Sequence, residues 1–436
     1  MPKLNRSRNR IVLVVPVFPK LSETFIANNF LGLLQKGWDI HVVCTRSQAS
    51  DWTPFIHLTS HPGIRNRVHV TWPHAPRWIE IVLFPFALLK CCLFNFSCVL
   101  RYLSYGSKKL GPIRALHTLY LDANLIALRP KAVYFEFADL ATHRLHLKEL
   151  LECKILASFR GHELNFVGLH DDSYYNEIWN QADALHFMSK DLLSRARVRG
   201  LQDTAKCSVI PPSVDSTYFQ PESRAFLPDI GTTERPMRIL SVGRLEWSKG
   251  YEFGLLTMRL LMNQGVRFEY RIIGDGSYRQ AILFAIRDLG LQDCVKLLYS
   301  KPPSEVRAEM QWADVFFHPS VSEGFGVVAL EAQSMALPVV CSDADGLKEN
   351  IVDGETGFVV PRRNPAAFAE KLILLCRDSV LRTKMSAAAR MRAVSQFSVE
   401  DEIAAYDKFL SSALQLSPLV PQAPQQSTVQ QPSEIV

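Results

Sequence analysis

The chain has 436 residues, 47% of them hydrophobic, enough to bury the cores of two or three domains. A formal net charge of +6 is a mild excess that suits an anionic small molecule, a lipid surface or nucleic acid alike. The nine cysteines are odd in number, scattered and without a Cys-x-x-Cys pair, which argues against a disulfide framework and a zinc cluster and fits a reducing compartment.

The opening "MPKLNRSRNRIVLVVPVFPK" starts like a signal peptide, but its apolar run lasts only from Ile11 to Val15 and no small-residue cleavage site follows. A short β-branched run of this kind predicts a buried strand. A loop "PKLSE", a helical "TFIANNFLGLLQKG" and a second strand "DIHVVCT" come next. From Ile81 to Leu100 the only charged residue is Lys90, so the stretch nearly has the length of a membrane span. Lys90 and Pro85 weigh against a span. The other two readings are a helix lying in the membrane interface and a helix packed inside the first domain. In the interfacial reading Trp78, Phe84, Phe86, Phe94 and Phe96 face lipid, and Arg77, Lys90, Arg101, Lys108 and Lys109 meet anionic headgroups. His143 and His146 lie three apart, but no further ligand joins them, so no metal is expected.

The second half repeats the grammar of the first: "MRILSVGRL", a loop "EWSKG", a helical "YEFGLLTMRLLMNQG" and "FEYRIIGDG". Gly37 and Gly265 stand where the two helices should stop. Strand–helix alternation that starts twice predicts two α/β domains, each a parallel sheet covered by helices on both faces. The predicted division is a first domain at 1–212, a Pro-, Ser- and Thr-rich linker at 213–235 and a second domain at 236–395. The Pro- and Gln-rich tail 414–436 is expected to be disordered.

In "HPSVSEGFGVVALEAQSMALPVV" a strand ends, a glycine turn forms and a helix begins near Val327. The first N–H groups of such a helix lack partners and carry the positive end of its dipole, which makes an anion seat. Gly324 and Gly326 let a ligand come close to the backbone. A diphosphate there needs more positive charge, and Arg244 and Lys249 of "SVGRLEWSKG" supply it from another strand end. Glu331 lies about one turn (~6 Å) along the helix, leans back toward its start and suits the hydroxyls of a ribose. Glu323, before the turn, falls on the side of a transferred group.

"EGFGVVALE" resembles the E-x7-E signature of the retaining family 4 glycosyltransferases. "ILSVGRLEWSKG", "IIGDG", "SVIPPSVDSTYFQP" and the long run around Glu323 are similar to that family as well, and "PVFPKLSETFI" and "ASFRGHELNF" resemble its exopolysaccharide branch, including colanic-acid-type transferases. The resemblance implies a GT-B fold, two Rossmann-like doubly wound domains facing a central cleft, with a final helix at 396–413 crossing back to the first domain. Ser398 would cap that helix, with Asp401 three residues on. It implies Glu323 as the catalytic residue, with a donor site of Arg244, Lys249, Gly324, Phe325, Gly326, Val327 and Glu331. Lys20, Ser22, Glu23, Arg160 and His162 would line the acceptor side. Relatives often carry a His-Gly pair at Arg160-Gly161 and a His-Phe-Gly motif near Glu136, so the acceptor side departs from the family pattern.

The implied partners are a nucleoside-diphosphate sugar and a glycan acceptor, possibly lipid-linked, at the inner face of the cytoplasmic membrane. No nucleic acid, cofactor or metal is expected. Competing readings are another enzyme on the same fold, such as a sugar-nucleotide epimerase or a phosphorylase, and a non-catalytic scaffold.

Overall fold

A computed structural model of the chain describes residues 9–20, 23–73, 76–105, 111–222 and 230–415. The expectations for Ser22, Lys108, Lys109 and the tail beyond Gln415 therefore lie outside the described residues.

The strands of the first half are β1 (Arg10–Val17), β2 (Asp39–Arg46), β3 (Val68–Val70), β4 (Ala132–Phe135), β5 (Lys154–Phe159), β6 (Ala184–Phe187) and β7 (Cys207–Val209). They form one parallel sheet in the order β3-β2-β1-β4-β5-β6-β7. Ile11 of β1 sits between Ile40 of β2 and Ala132 of β4, and the run Ile11–Val15 is buried throughout. The second half contributes β8 (Met237–Val242), β9 (Phe268–Ile273), β10 (Val295–Leu297), β11 (Val315–His318), β12 (Val339–Ser342) and β13 (Gly357–Val360). These also run parallel, in the order β10-β9-β8-β11-β12-β13.

Each sheet reverses its winding once, between β1 and β4 and between β8 and β11. A parallel sheet opens a crevice at the carboxyl ends of the strands where this happens, and ligands bind there. Loops after β1 and β4 on one side, and after β8 and β11 on the other, border these two crevices.

The helix Val399–Gln415 packs on the first domain. Tyr406, Phe409 and Leu410 enter the core around β1 and β4. Its Glu402 accepts hydrogen bonds from Asn29 Nδ2 (3.1 Å) and Ser213 N (3.1 Å), and Asp407 accepts from Trp38 Nε1 (2.8 Å). Ser398 Oγ accepts from Asp401 N at 3.1 Å, which caps the first turn.

The apolar stretch forms one long helix, Arg77–Tyr105, with non-helical backbone at Asn95. One face is buried through Ala87, Cys91, Cys98, Val99 and Tyr102. The other leaves Trp78, Phe86, Leu93 and Phe96 between 57% and 71% exposed. Three side chains differ from the interfacial reading. Phe84 is partly buried against the core, and Lys90 turns inward to Asn124 Oδ1 at 2.7 Å. Arg101 likewise faces protein, where it pairs with Glu152 at 2.8 Å.

Candidate active site

The loop leaving β11 runs through Glu323 and Gly324 to Gly326, whose φ of +85° is a left-handed value that favours glycine. The helix Val327–Ser334 starts there. From Gly324 to Val328 the backbone N–H groups find no acceptor among the described residues. Consecutive unpaired N–H groups at a helix start are a seat for an anion. The turn is held from behind by Asn350, fully buried, whose Nδ2 donates to the carbonyls of Phe325 (3.3 Å) and Gly326 (2.9 Å). Gln333 Nε2 donates to Asn350 Oδ1 at 2.6 Å and fixes which way that amide faces. The Phe325 ring is buried and packs on Phe397, 5.7 Å between centroids.

Glu323 is paired with the Lys249 ammonium and hydrogen-bonded to His318 Nε2 at 3.0 Å. Burial alone would raise its carboxyl, but the Lys249 charge and the His318 contacts outweigh it and hold the group ionised, well below the usual range. Lys249 arrives on the loop after β8, next to β11 in the sheet, so the cation and the carboxylate meet at the switch point. Arg244 is exposed on the same loop, and its guanidinium has no partner among the described residues. Glu331 is half-buried, and its carboxylate makes no hydrogen bond or ion pair among the described residues. Burial raises its carboxyl to about 8.

The acceptor-side residues are arranged differently from the expectation. Arg160 turns into its own domain, where it pairs with the buried Glu136 and lies 4.5 Å from the Phe25 ring centroid. Its guanidinium is not offered to the cleft; its carbonyl is. A Cβ on Gly324 would run into the Arg160 oxygen, so the space left by that glycine is filled by the opposing domain. Lys20 and Glu23 pair with each other, and Glu23 Oε2 is buried without a partner among the described residues. His162 is exposed and lies against Phe166 (5.6 Å), which meets Trp247 of the donor loop across the cleft at 5.3 Å.

Four residues of the site were missed by sequence reasoning. His318 lies five positions before Glu323 at a strand end, and that position was its only signal. Gln333, Asn350 and Asp345 act through folding partners distant in the chain, and nothing local marks them.

Two Rossmann-like domains closed over such a turn are a GT-B architecture. Residues 223–392 match the family model described as "Glycosyl transferases group 1". The chain is 28% identical to the amylovoran biosynthesis glycosyltransferase AmsK of Erwinia amylovora, over 87% of this chain and 94% of that one. Among solved structures it is similar in fold to the Anabaena protein Alr3699/HepE in complex with UDP and glucose (TM-score 0.68, 15% identity, covering 93% of this chain and 100% of that one). Sucrose-phosphate synthase from Thermosynechococcus elongatus is similar to the same degree (TM-score 0.69, 17% identity, 93% and 99% covered). The chain is a glycosyltransferase, and its second domain is similar to the group 1 family.

Proposed function

We propose that the protein transfers a sugar, with retention of configuration, from a nucleoside-diphosphate sugar to an exopolysaccharide chain carried on lipid at the inner face of the cytoplasmic membrane. The observation that carries the donor half is the run of unpaired N–H groups from Gly324 to Val328, with Arg244 and Lys249 on the neighbouring loop and Glu331 unpartnered along the helix. The diphosphate sits in the turn. Arg244 and the turn meet its charge, and Lys249 is shared between it and Glu323. The ribose hydroxyls donate to Glu331. AmsK, named for amylovoran biosynthesis, supports the polysaccharide product, and HepE, solved with UDP and glucose, supports the donor class.

The acceptor hydroxyl attacks the anomeric carbon from the leaving-group side. The bond from that carbon to the phosphate oxygen breaks, the new glycosidic bond forms, and the hydroxyl proton passes to the departing phosphate. Glu323, held ionised, faces the donor sugar. The charge that builds on the diphosphate falls on the turn and the two cations, so this reading includes no metal. The exposed apolar face of Arg77–Tyr105 supports attachment to the membrane surface. A span would strip Cys91, Cys98, Val99 and Tyr102 from the domain core.

A thermal-shift panel of nucleotides and nucleotide sugars tests the donor site, and the anomeric configuration of the product tests retention. A selective rise with one base is expected. Transfer should survive EDTA and fall at least ~100-fold in Glu323→Ala with nucleotide binding intact. No response to any nucleotide would overturn the reading. An unchanged rate in Glu323→Ala would remove that residue from the chemistry and favour another enzyme of this fold.

A further inference from the structure

Asp345 is 1% exposed, has a left-handed φ of +46° and sits at the seam between the domains. Its carboxylate is shared between two sets of donors. From its own domain, Oδ2 accepts from Ser322 Oγ (2.7 Å) and from the backbone N–H of Glu323 (3.1 Å), while Oδ1 accepts from Arg362 Nη1 (3.2 Å). From the first domain, Asn165 Nδ2 donates to Oδ2 at 3.0 Å and Arg195 pairs with Oδ1. The next residue completes the grip, since Gly346 N donates to the Glu323 carbonyl at 3.2 Å. Both backbone groups of Glu323 are thus fixed by Asp345 and Gly346, and Asn165 also donates to Ser322 Oγ at 2.7 Å.

We propose that Asp345 is a positioning residue that makes the orientation of Glu323 depend on closure of the cleft. With the domains together, Asn165 and Arg195 hold the carboxylate where it meets the Glu323 N–H. With the domains apart, those two donors leave, and the carboxylate keeps only the donors of its own domain, Ser322, the Glu323 N–H and Arg362, so its pose at the Glu323 N–H is held less tightly. The bent backbone at Asp345 fits this role. A non-glycine residue at positive φ is strained, and this one is held by interactions on every side. The proposal rests on the role given to Glu323 above.

The test uses the full chain with donor and acceptor. Asp345→Asn should bind nucleotide within about threefold of the parent and lose at least ~30-fold in kcat, with KM nearly unchanged. Asn165→Ala combined with Arg195→Met leaves Glu323 and Asp345 themselves unsubstituted, removes the first-domain donors to Asp345 and should show the same split. Adding that pair to Asp345→Asn should cost less than a further twofold, because the three residues act as one unit. X-ray scattering with and without nucleotide should show a compaction in the parent that is reduced in the Asn165/Arg195 variant. Full additivity of the losses, or an unchanged kcat in the Asn165/Arg195 variant, would overturn the coupling. If Glu323→Ala keeps its activity while the scattering change still depends on Asn165 and Arg195, the closure contact stands and the catalytic role of Glu323 is what fails.

Discussion

Glu323 and Glu331 carry the same functional group within one short segment, and the fold treats them oppositely. Glu323 is ringed by Lys249 and His318 and stays charged. Glu331 has no cation to offset burial, and its carboxyl rises to about 8. A carboxyl raised in the folded state holds its proton in the native protein at pH values where the unfolded chain has lost it. Its share of stability is full below its unfolded value of 4.5 and is lost as pH rises toward about 8. Ribose hydroxyls donating to Glu331 favour its charged form. Nucleotide binding at pH 7 should therefore release most of a proton, read by calorimetry in buffers of different ionisation enthalpy, and Glu331→Gln should release none. Equal proton release in both would place the linkage elsewhere. The two glutamates were legible in the sequence because the turn and the helix period fix where they stand. The side chains that set their protonation and pose were not. His318, Asn350 and Asp345 are brought to the turn by β11, by the loops after β12 and by the domain seam, and none of that is local in sequence.

At the scale of elements, the strands and their parallel order follow from β-branched runs alternating with helical periods. The long apolar helix shows where this reasoning stops. Composition left three placements open for residues 81–100, because apolarity says that a face must be covered and not what covers it. Packing resolves the helix into two faces, one on the core and one outward, and turns Lys90 and Phe84 inward against the interfacial expectation. The outward residues Phe86 and Leu93 are 62% and 71% exposed. Replacing both with Asp removes apolar area from any lipid contact while leaving the buried face intact. Co-sedimentation with anionic phospholipid vesicles should fall at least tenfold, about 1.4 kcal/mol, with turnover on a water-soluble acceptor within twofold of the parent. Unchanged sedimentation would detach the helix from the membrane reading.

For the whole molecule, chain order and domain membership do not coincide. The helix Val399–Gln415 is last in sequence, yet its apolar face completes the core of the first domain. Phe409 lies 5.8 Å from the Tyr134 ring and Tyr406 lies 5.1 Å from the His186 ring, both centroid to centroid. The period of the helix reveals that it has an apolar face. Only the family resemblance suggested which domain takes it, since two cores of similar composition compete for it. The consequence is an asymmetry in stability. Phe409 is 4% exposed, and Phe409→Ala leaves a cavity worth about 3–5 kcal/mol in a core to which β8 to β13 do not contribute. Hydrogen exchange should accelerate at amides of β1, β4 and β5, by roughly two to four orders of magnitude where exchange follows unfolding of that domain. Amides of β8 and β11 should keep their parental rates. Uniform acceleration in both sheets would mean that the two cores unfold as one unit, and the final helix would then belong to the molecule rather than to its first domain.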